Sequence, residues 1–375
     1  MRTLRTAPTR RRGRTGLAAA AVLALATSCS LVGTGEDDPA AVESTDGGGA
    51  TSEPGGEVVL LTHDSFALPD QVVADFEAET GIELTIRPGG DAGALTNRLV
   101  LSKDNPQGDA VFGIDNTFAS RALEEGVLAD TDDDAVAWPD GVEQYALPGD
   151  DEQRLAPVDN GNVCVNVDTS WFAENGIEEP ESLDDLTDPA YEGLFVTPGA
   201  ATSSPGLAFL LSTVAEYGED WPTYWEDLVA NGAQITSGWT DAYQGSFTQG
   251  GGKGQRPIVL SYDSSPAFTV AEGSDESSTR ALLDTCFQQV EYAGVLEGAE
   301  NPDGAAAVVA WLQSPEVQAA LPESMYVFPV VDGVELPADW ARFAERPTDP
   351  YEVDPAEVAA NRDDWLREWT DVTTR

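Results

Sequence analysis

From residue 57 the chain alternates apolar runs with amphipathic ones. EVVLLT (57–62) has the continuous apolar pattern of a buried strand, and DQVVADFEAETG (70–81) places Val72, Val73 and Phe76 on one helical face before Gly81. IELTIRP (82–88) predicts a second strand, AGALTNRLVLSKDN (92–105) a helix, DAVFGID (109–115) a third strand and TFASRALEEG (117–126) a helix. After an irregular stretch over 131–157 come the strand NVCVNVD (162–168), the helix SLDDLTDPAY (182–191), the strand GLFVTP (193–198) and the helix PGLAFLLSTVAEYG (205–218). AQITSG (233–238), the helix DAYQGSF (241–247), PIVLSY (257–262) and the strand-like TCFQQVEYAGVL (285–296) follow. A long Ala-rich helix (303–321), YVFPV (326–330) and a helix over 355–372 close the chain. Alternating strands and helices predict an α/β fold on a parallel, doubly wound sheet.

The first 28 residues carry six arginines, no acid and an apolar core too short to span a bilayer, as a signal peptide does. LATSC (25–29) resembles a lipobox, so Cys29 is expected to be lipidated, with 29–56 a flexible tether rich in Gly, Ser, Pro and acids. The 19 Lys+Arg against 67 Asp+Glu, a net charge of −48, repel phosphate backbones and exclude nucleic-acid binding. Export places Cys164 and Cys286 in an oxidising compartment, as a disulfide or as two buried thiols.

The single histidine, His63, stands beside Asp64 and Ser65 and could be a general base, a metal ligand or a pocket wall. No GxSxG elbow accompanies it, and a zinc site would need several His or Cys. TQGGGKGQ (248–255) departs from the phosphate-loop spacing, and the acidic runs 36–38 and 132–134 lack an EF-hand layout. No nucleophile is paired with a base, so binding without a cofactor is the default reading. Polar loops that follow strands directly, as in FGIDN (112–116) and LSYDSS (260–265), are natural pocket walls in such sheets.

Read together, HDSF (63–66), GIDNT (113–117), TSSPGLAFLL (202–211), SGWTDAY (237–243), LSYDSSPAF (260–268) and YVFPV (326–330) resemble the thiamine-binding proteins of bacterial ABC importers, in order and spacing over about 57–372. The resemblance implies a two-lobed, type 2 periplasmic-binding-protein fold with a hinge. Lobe 1 would hold 57–162 with part of 286–330, and lobe 2 would hold 163–285 with part of 331–375. It implies a monomer that takes thiamine or its phosphates and meets a permease, held to the membrane through Cys29. A thiazolium cation offers no donor, so aromatic faces suit it, at about 0.5–2 kcal/mol each. Trp239, Tyr243, Tyr262 and Tyr326 are the candidate rings, with Asp64 or Asp115 for the field. Thr202, Ser203 and Ser204 would meet a phosphate or hydroxyl, or simply cap a helix. Where that family usually has tyrosine this chain has His63 and Phe268, where it has tryptophan this chain has Tyr326, and DNGN (159–162) stands for DYGY. His63 is thereby expected as a pocket-wall ring. Two other classes share the fold. A thiaminase would need Cys164 or Cys286 as a free thiol. A ferric or polyamine binder would need other ligands, and Tyr191, Tyr217 and Tyr224 form no such motif.

Overall fold

The computed structural model describes residues 55–130, 138–271 and 273–374. The signal peptide, Cys29 and the tether up to residue 54 lie outside the described residues. The first half of the fold runs β1 (Gly56–Thr62), α1 (Asp70–Thr80), β2 (Ile82–Pro88), α2 (Ala92–Ser102), β3 (Ala110–Asp115) and α3 (Ala119–Glu124). Gly81 ends α1 in the left-handed conformation (φ 70°), donating to Glu77, as the sequence predicts. β4 (Ala156–Asp168) leads to α4 (Thr169–Asn175), β5 (Phe195–Pro198), α5 (Ser204–Tyr217), α6 (Trp221–Ala230), β6 (Gln234–Thr236) and β7 (Ile258–Tyr262). β8 (Thr279–Val295) returns, followed by α7 (Pro302–Leu312), α8 (Pro315–Met325), β9 (Phe328–Pro329), α9 (Trp340–Phe343) and α10 (Pro355–Thr373).

Among the described residues the strands form one sheet in the order β2-β1-β3-β8-β4-β7-β5-β6, with β9 on β4. It is parallel only towards its two ends, β2-β1-β3 and β6-β5-β7. The centre corrects the all-parallel expectation: β4 and β8 are long, run opposite ways and pair antiparallel with each other and with β7 and β3. A chain that leaves one half of a sheet and comes back must do so in opposite directions. Alternate side chains feed different cores, as period-2 geometry requires. Leu60 and Phe112 join Phe76, Trp311 and Leu321, while Leu61 and Val111 join Leu95, Leu99 and Tyr292. The other half has its own core around Phe195, Phe209, Trp225, Phe287 and Trp369 of α10.

Three local expectations change. SLDDLTDPAY forms two 3₁₀ turns, because Pro189 breaks the run and Asp188 accepts the Ala190 amide instead. The Ala-rich helix divides at Gln313 and Ser314, where Ser314 accepts the Val317 amide and Pro315 opens α8. DAYQGSF is wound as a π-helix, Asp241–Ser246. Helices α4 and α6 were not expected, although Trp221, Tyr224, Trp225 and Leu228 mark the buried face of α6.

Cys164 and Cys286 form a disulfide, Cα atoms 4.1 Å apart, between β4 and β8. It sits where the register jumps: Val163 pairs with Phe287, but Val165 pairs with Leu282.

Candidate ligand-binding cavity

A cavity of about 270 Å³ opens between the two halves of the sheet, at the carboxyl ends of β1 and β7. His63, Asp64, Ser204, Trp239, Tyr262 and Tyr326 line it. Asp115, Thr202, Ser203, Tyr243 and Phe268 stand outside that lining. Asp91, Gln244, Glu291 and Met325 line it without having been singled out in the sequence.

Trp239 is the middle of the aromatic wall. It stacks on Tyr243 (5.0 Å between centroids, 11° between planes), and Tyr262 and the edge of Tyr326 stand 6.4 and 6.2 Å from it. Its indole N–H donates to Ser261 Oγ at 3.0 Å, which fixes the ring plane. The π-helix puts Tyr243 behind this ring rather than in the cavity, so it acts as a backing plate. Phe268 likewise backs Tyr326, 3.6 Å between centroids, and packs on Trp340. Tyr326 itself adopts the left-handed conformation (φ 65°) at the end of α8, an uncommon backbone for a large side chain. Asn160 and Asn162 do not face the cavity: Asn160 donates to the Phe328 and Pro329 carbonyls, and Asn162 to Asp263.

Acidic groups share this lining. His63, 6% exposed, follows β1 and packs on Phe112. Gly113 makes that possible: at φ 97° it is left-handed, and a Cβ there would stand 2.2 Å from the His63 ring. The Ser65 amide donates to His63 Nδ1 (3.2 Å), while Nε2 lies 3.5 Å from Glu291 Oε1. Burial opposes a charged imidazole, but Glu291, Asp91 and Asp64 outweigh it and raise the His63 pKa. Glu291 sits on β8 in register with Asp115 on β3 and Asp159 on β4, a row of three buried carboxyls. Burial pushes the Asp115 carboxyl up to about 7 and that of Asp159 well above its usual range, with Glu291 adding to both. Asp115 accepts the Thr117 hydroxyl and the Phe118 amide. No lysine or arginine lines the cavity among the described residues.

A raised Asp115 pKa means that the folded protein holds this proton more tightly than the unfolded chain. Stability is lost as pH rises from about 4 through about 7, and the loss is complete above it. Asp115→Asn keeps the acceptor oxygen and removes the charge. It should stabilise the fold by roughly 2–4 kcal/mol at pH 8 and by almost nothing at pH 4, read by thermal unfolding at both.

Asp91 joins the two halves. Its Oδ1 accepts the amides of Ala92 (2.7 Å) and Ser204 (3.2 Å), and its Oδ2 accepts that of Trp239 (2.8 Å). Gly238 permits the approach, since a Cβ there would lie 2.8 Å from Asp91 Oδ2. The Ala94 amide donates to the Thr202 carbonyl (3.0 Å), and the Ser65 and Thr240 hydroxyls meet at 3.3 Å. Ser203 holds the N-cap position of α5 but makes no side-chain cap bond, and the Thr202 hydroxyl donates to the Ser237 carbonyl. An aspartate directly before a helix could have flagged Asp91. A lone acid in an apolar strand run could have flagged Glu291.

Comparison with known proteins places this geometry. Residues 71–348 match the model of the bacterial extracellular solute-binding protein family. The chain is 31% identical to the thiamine-binding periplasmic protein of Escherichia coli K12, covering 85% of this chain and 94% of that one. It is 32% identical to the thiamine-binding periplasmic protein of Brucella abortus, covering 85% and 92%. Among solved structures it resembles a periplasmic thiamin binding protein (TM-score 0.73, 31% identity, 87% and 98% covered). It shares the fold of the ferric binding protein from Campylobacter jejuni (TM-score 0.66, 16% identity, 85% and 100% covered). Those neighbours are two-lobed periplasmic binding proteins, and this chain belongs to the bacterial extracellular solute-binding protein family.

Proposed function

We propose that the chain is exported, captures thiamine or a thiamine phosphate, and delivers it to the permease of an ABC importer. The observation that carries this reading is the cavity itself: an aromatic wall centred on Trp239 shares one lining with Glu291 and His63, with no Lys or Arg among its described lining residues. A quaternary thiazolium has no N–H to donate, so ring faces and negative field hold it, and the flat aminopyrimidine joined to it adds a second ring that can stack. The relatives named above as thiamine-binding point the same way. On this reading Trp239, Tyr262, Tyr326 and His63 form the ring contacts, while Asp64, Asp91 and Glu291 supply the field. Ser204, at the start of α5, meets the polar tail of the ligand. Tyr243 and Phe268 hold two of those rings, and Asp115, Thr202 and Ser203 support the wall from behind.

Two lobes, 57–162 with part of 286–330 and 163–285 with part of 331–375, close on the ligand about the crossing strands. Lipid on Cys29 holds a monomer at the outer face of the membrane beside its permease. The protein does no chemistry on its ligand. Both candidate nucleophiles of a thiaminase are joined in the Cys164–Cys286 disulfide and fully buried. For an iron site, Tyr217 and Tyr224 do stack on each other at 4.5 Å, but their hydroxyls donate to Asp184 and Leu183.

A thermal-shift series tests the ligand class. Thiamine at a hundred times its dissociation constant should stabilise by about 2.7 kcal/mol, while ferric citrate and spermidine should leave the midpoint unmoved. A shift with either of these and none with thiamine would reverse the assignment. Asp91→Ala loses the α2 cap, at about 1 kcal/mol, and frees the Trp239 and Ser204 amides. Thiamine affinity should then fall roughly tenfold, with X-ray scattering showing a more open particle.

A further inference from the structure

We propose that Glu291 is the residue that selects a positively charged ligand, and that His63 competes with that ligand for Glu291. The second proton of the imidazole and the cation of the ligand would then exclude one another. This rests on the thiamine reading and adds to it a specificity residue and a pH dependence.

The geometry carries it. His63 and Glu291 line the same cavity of about 270 Å³, both are nine-tenths buried or more, and they face each other at 3.5 Å. The other groups around the imidazole are all acidic or neutral. Asp64 is on its own loop, Asp91 precedes α2, and Tyr262 ends β7 with its hydroxyl accepting from Gln289. Behind Glu291, Asp115 and Asp159 stand on the neighbouring strands in register. No N–H or hydroxyl donor among the described residues reaches the Asp159 carboxyl, so its close neighbour is Glu291. Of these three acids only Glu291 lines the cavity.

The Ser65 amide donates to Nδ1, which puts the single proton of the neutral ring on Nε2, towards Glu291. In that state the imidazole carries no charge and a thiazolium can enter the acidic field of the cavity. A second proton, taken by Nδ1 in place of the Ser65 hydrogen bond, makes an imidazolium that pairs with Glu291 and repels a cation a few ångströms away. The sign follows. Ligand binding lowers the His63 pKa, protons leave to solvent on binding, and affinity is lost as pH falls through the His63 pKa of the free protein.

The test is calorimetric titration of the purified protein with thiamine from about pH 8.5 to about pH 5.5, in two buffers of different ionisation enthalpy, beside His63→Tyr. Tyrosine keeps a ring but does not titrate in this range, and any titration of thiamine itself is common to both proteins. Affinity should fall by up to about tenfold per pH unit at the acid end, with proton release on binding, and both effects should be lost in His63→Tyr. Glu291→Gln should lower the preference for thiamine over thiochrome, its neutral oxidised form, by about tenfold, a ratio that folding losses do not move. Thiamine bound with no pH dependence, or with the same dependence in His63→Tyr, would overturn this inference and leave the thiamine reading standing. Thiamine not bound at any pH would overturn both.

Discussion

Replacing Trp239 with alanine should weaken thiamine binding about tenfold or more, that is by at least about 1.4 kcal/mol. The ring is held on one side by Tyr243 and below by Ser261, so its position does not depend on the ligand. A ring fixed in advance gives the cation a face without a cost in ordering it, and the desolvated end of the cation–π range, about 2 kcal/mol, applies. Trp239 is only 7% exposed, so the alanine variant also loses packing and is expected to unfold earlier. Trp239→Phe separates the two effects. It keeps a ring on Tyr243 and loses the Ser261 hydrogen bond, so affinity should fall less than in the alanine variant while the fold is largely retained. Tyr262→Ala should behave like Trp239→Ala, since that ring lines the same wall. Titration of variants whose circular dichroism matches the parent gives the comparison. Full affinity in Trp239→Ala would remove the aromatic wall from the account.

The second large effect is on stability. Replacing Cys164 and Cys286 together by alanine removes a link that closes 122 residues of chain. In the chain-entropy description a loop of that length is worth about 5 kcal/mol, a large share of the roughly 5–15 kcal/mol that holds a domain together. Both sulfurs are fully buried and sit where the register between β4 and β8 jumps, so the loss falls on the strands that connect the halves. The midpoint of denaturant unfolding should drop sharply, and thiamine should recover part of it by mass action. A double variant as stable as the parent would show that ladder pairing alone secures the crossing.

Local periodicity made much of this fold legible. β1, α1 and Gly81 stand where alternation and a helix-ending glycine put them. The direction of the central strands was not legible, because it is set by the chain crossing between halves and by partners over a hundred residues apart. The split between α7 and α8 was written in Ser314-Pro315, a cap followed by a residue that cannot donate, inside an otherwise continuous apolar pattern. In the cavity, aromatic motifs pointed to Trp239, Tyr262 and Tyr326, but which rings face inward depends on local winding. Tyr243 and Phe268 are one layer back for that reason. Asp91 and Glu291 leave only a faint local signal, a pre-helix aspartate and one acid in a strand run, and neither signal says that the residue lines a cavity. They matter only where a cap meets the other half of the sheet, and where three strands align their acids.

The most direct measurement is calorimetric titration of the purified protein with thiamine, thiamine monophosphate and thiamine diphosphate at neutral pH. Saturable one-to-one binding of thiamine or one of its phosphates, with a dissociation constant of about micromolar or tighter and the ligand recovered intact afterwards, is the result this account predicts. Absence of binding to all three, or recovery of cleaved thiamine, would contradict it.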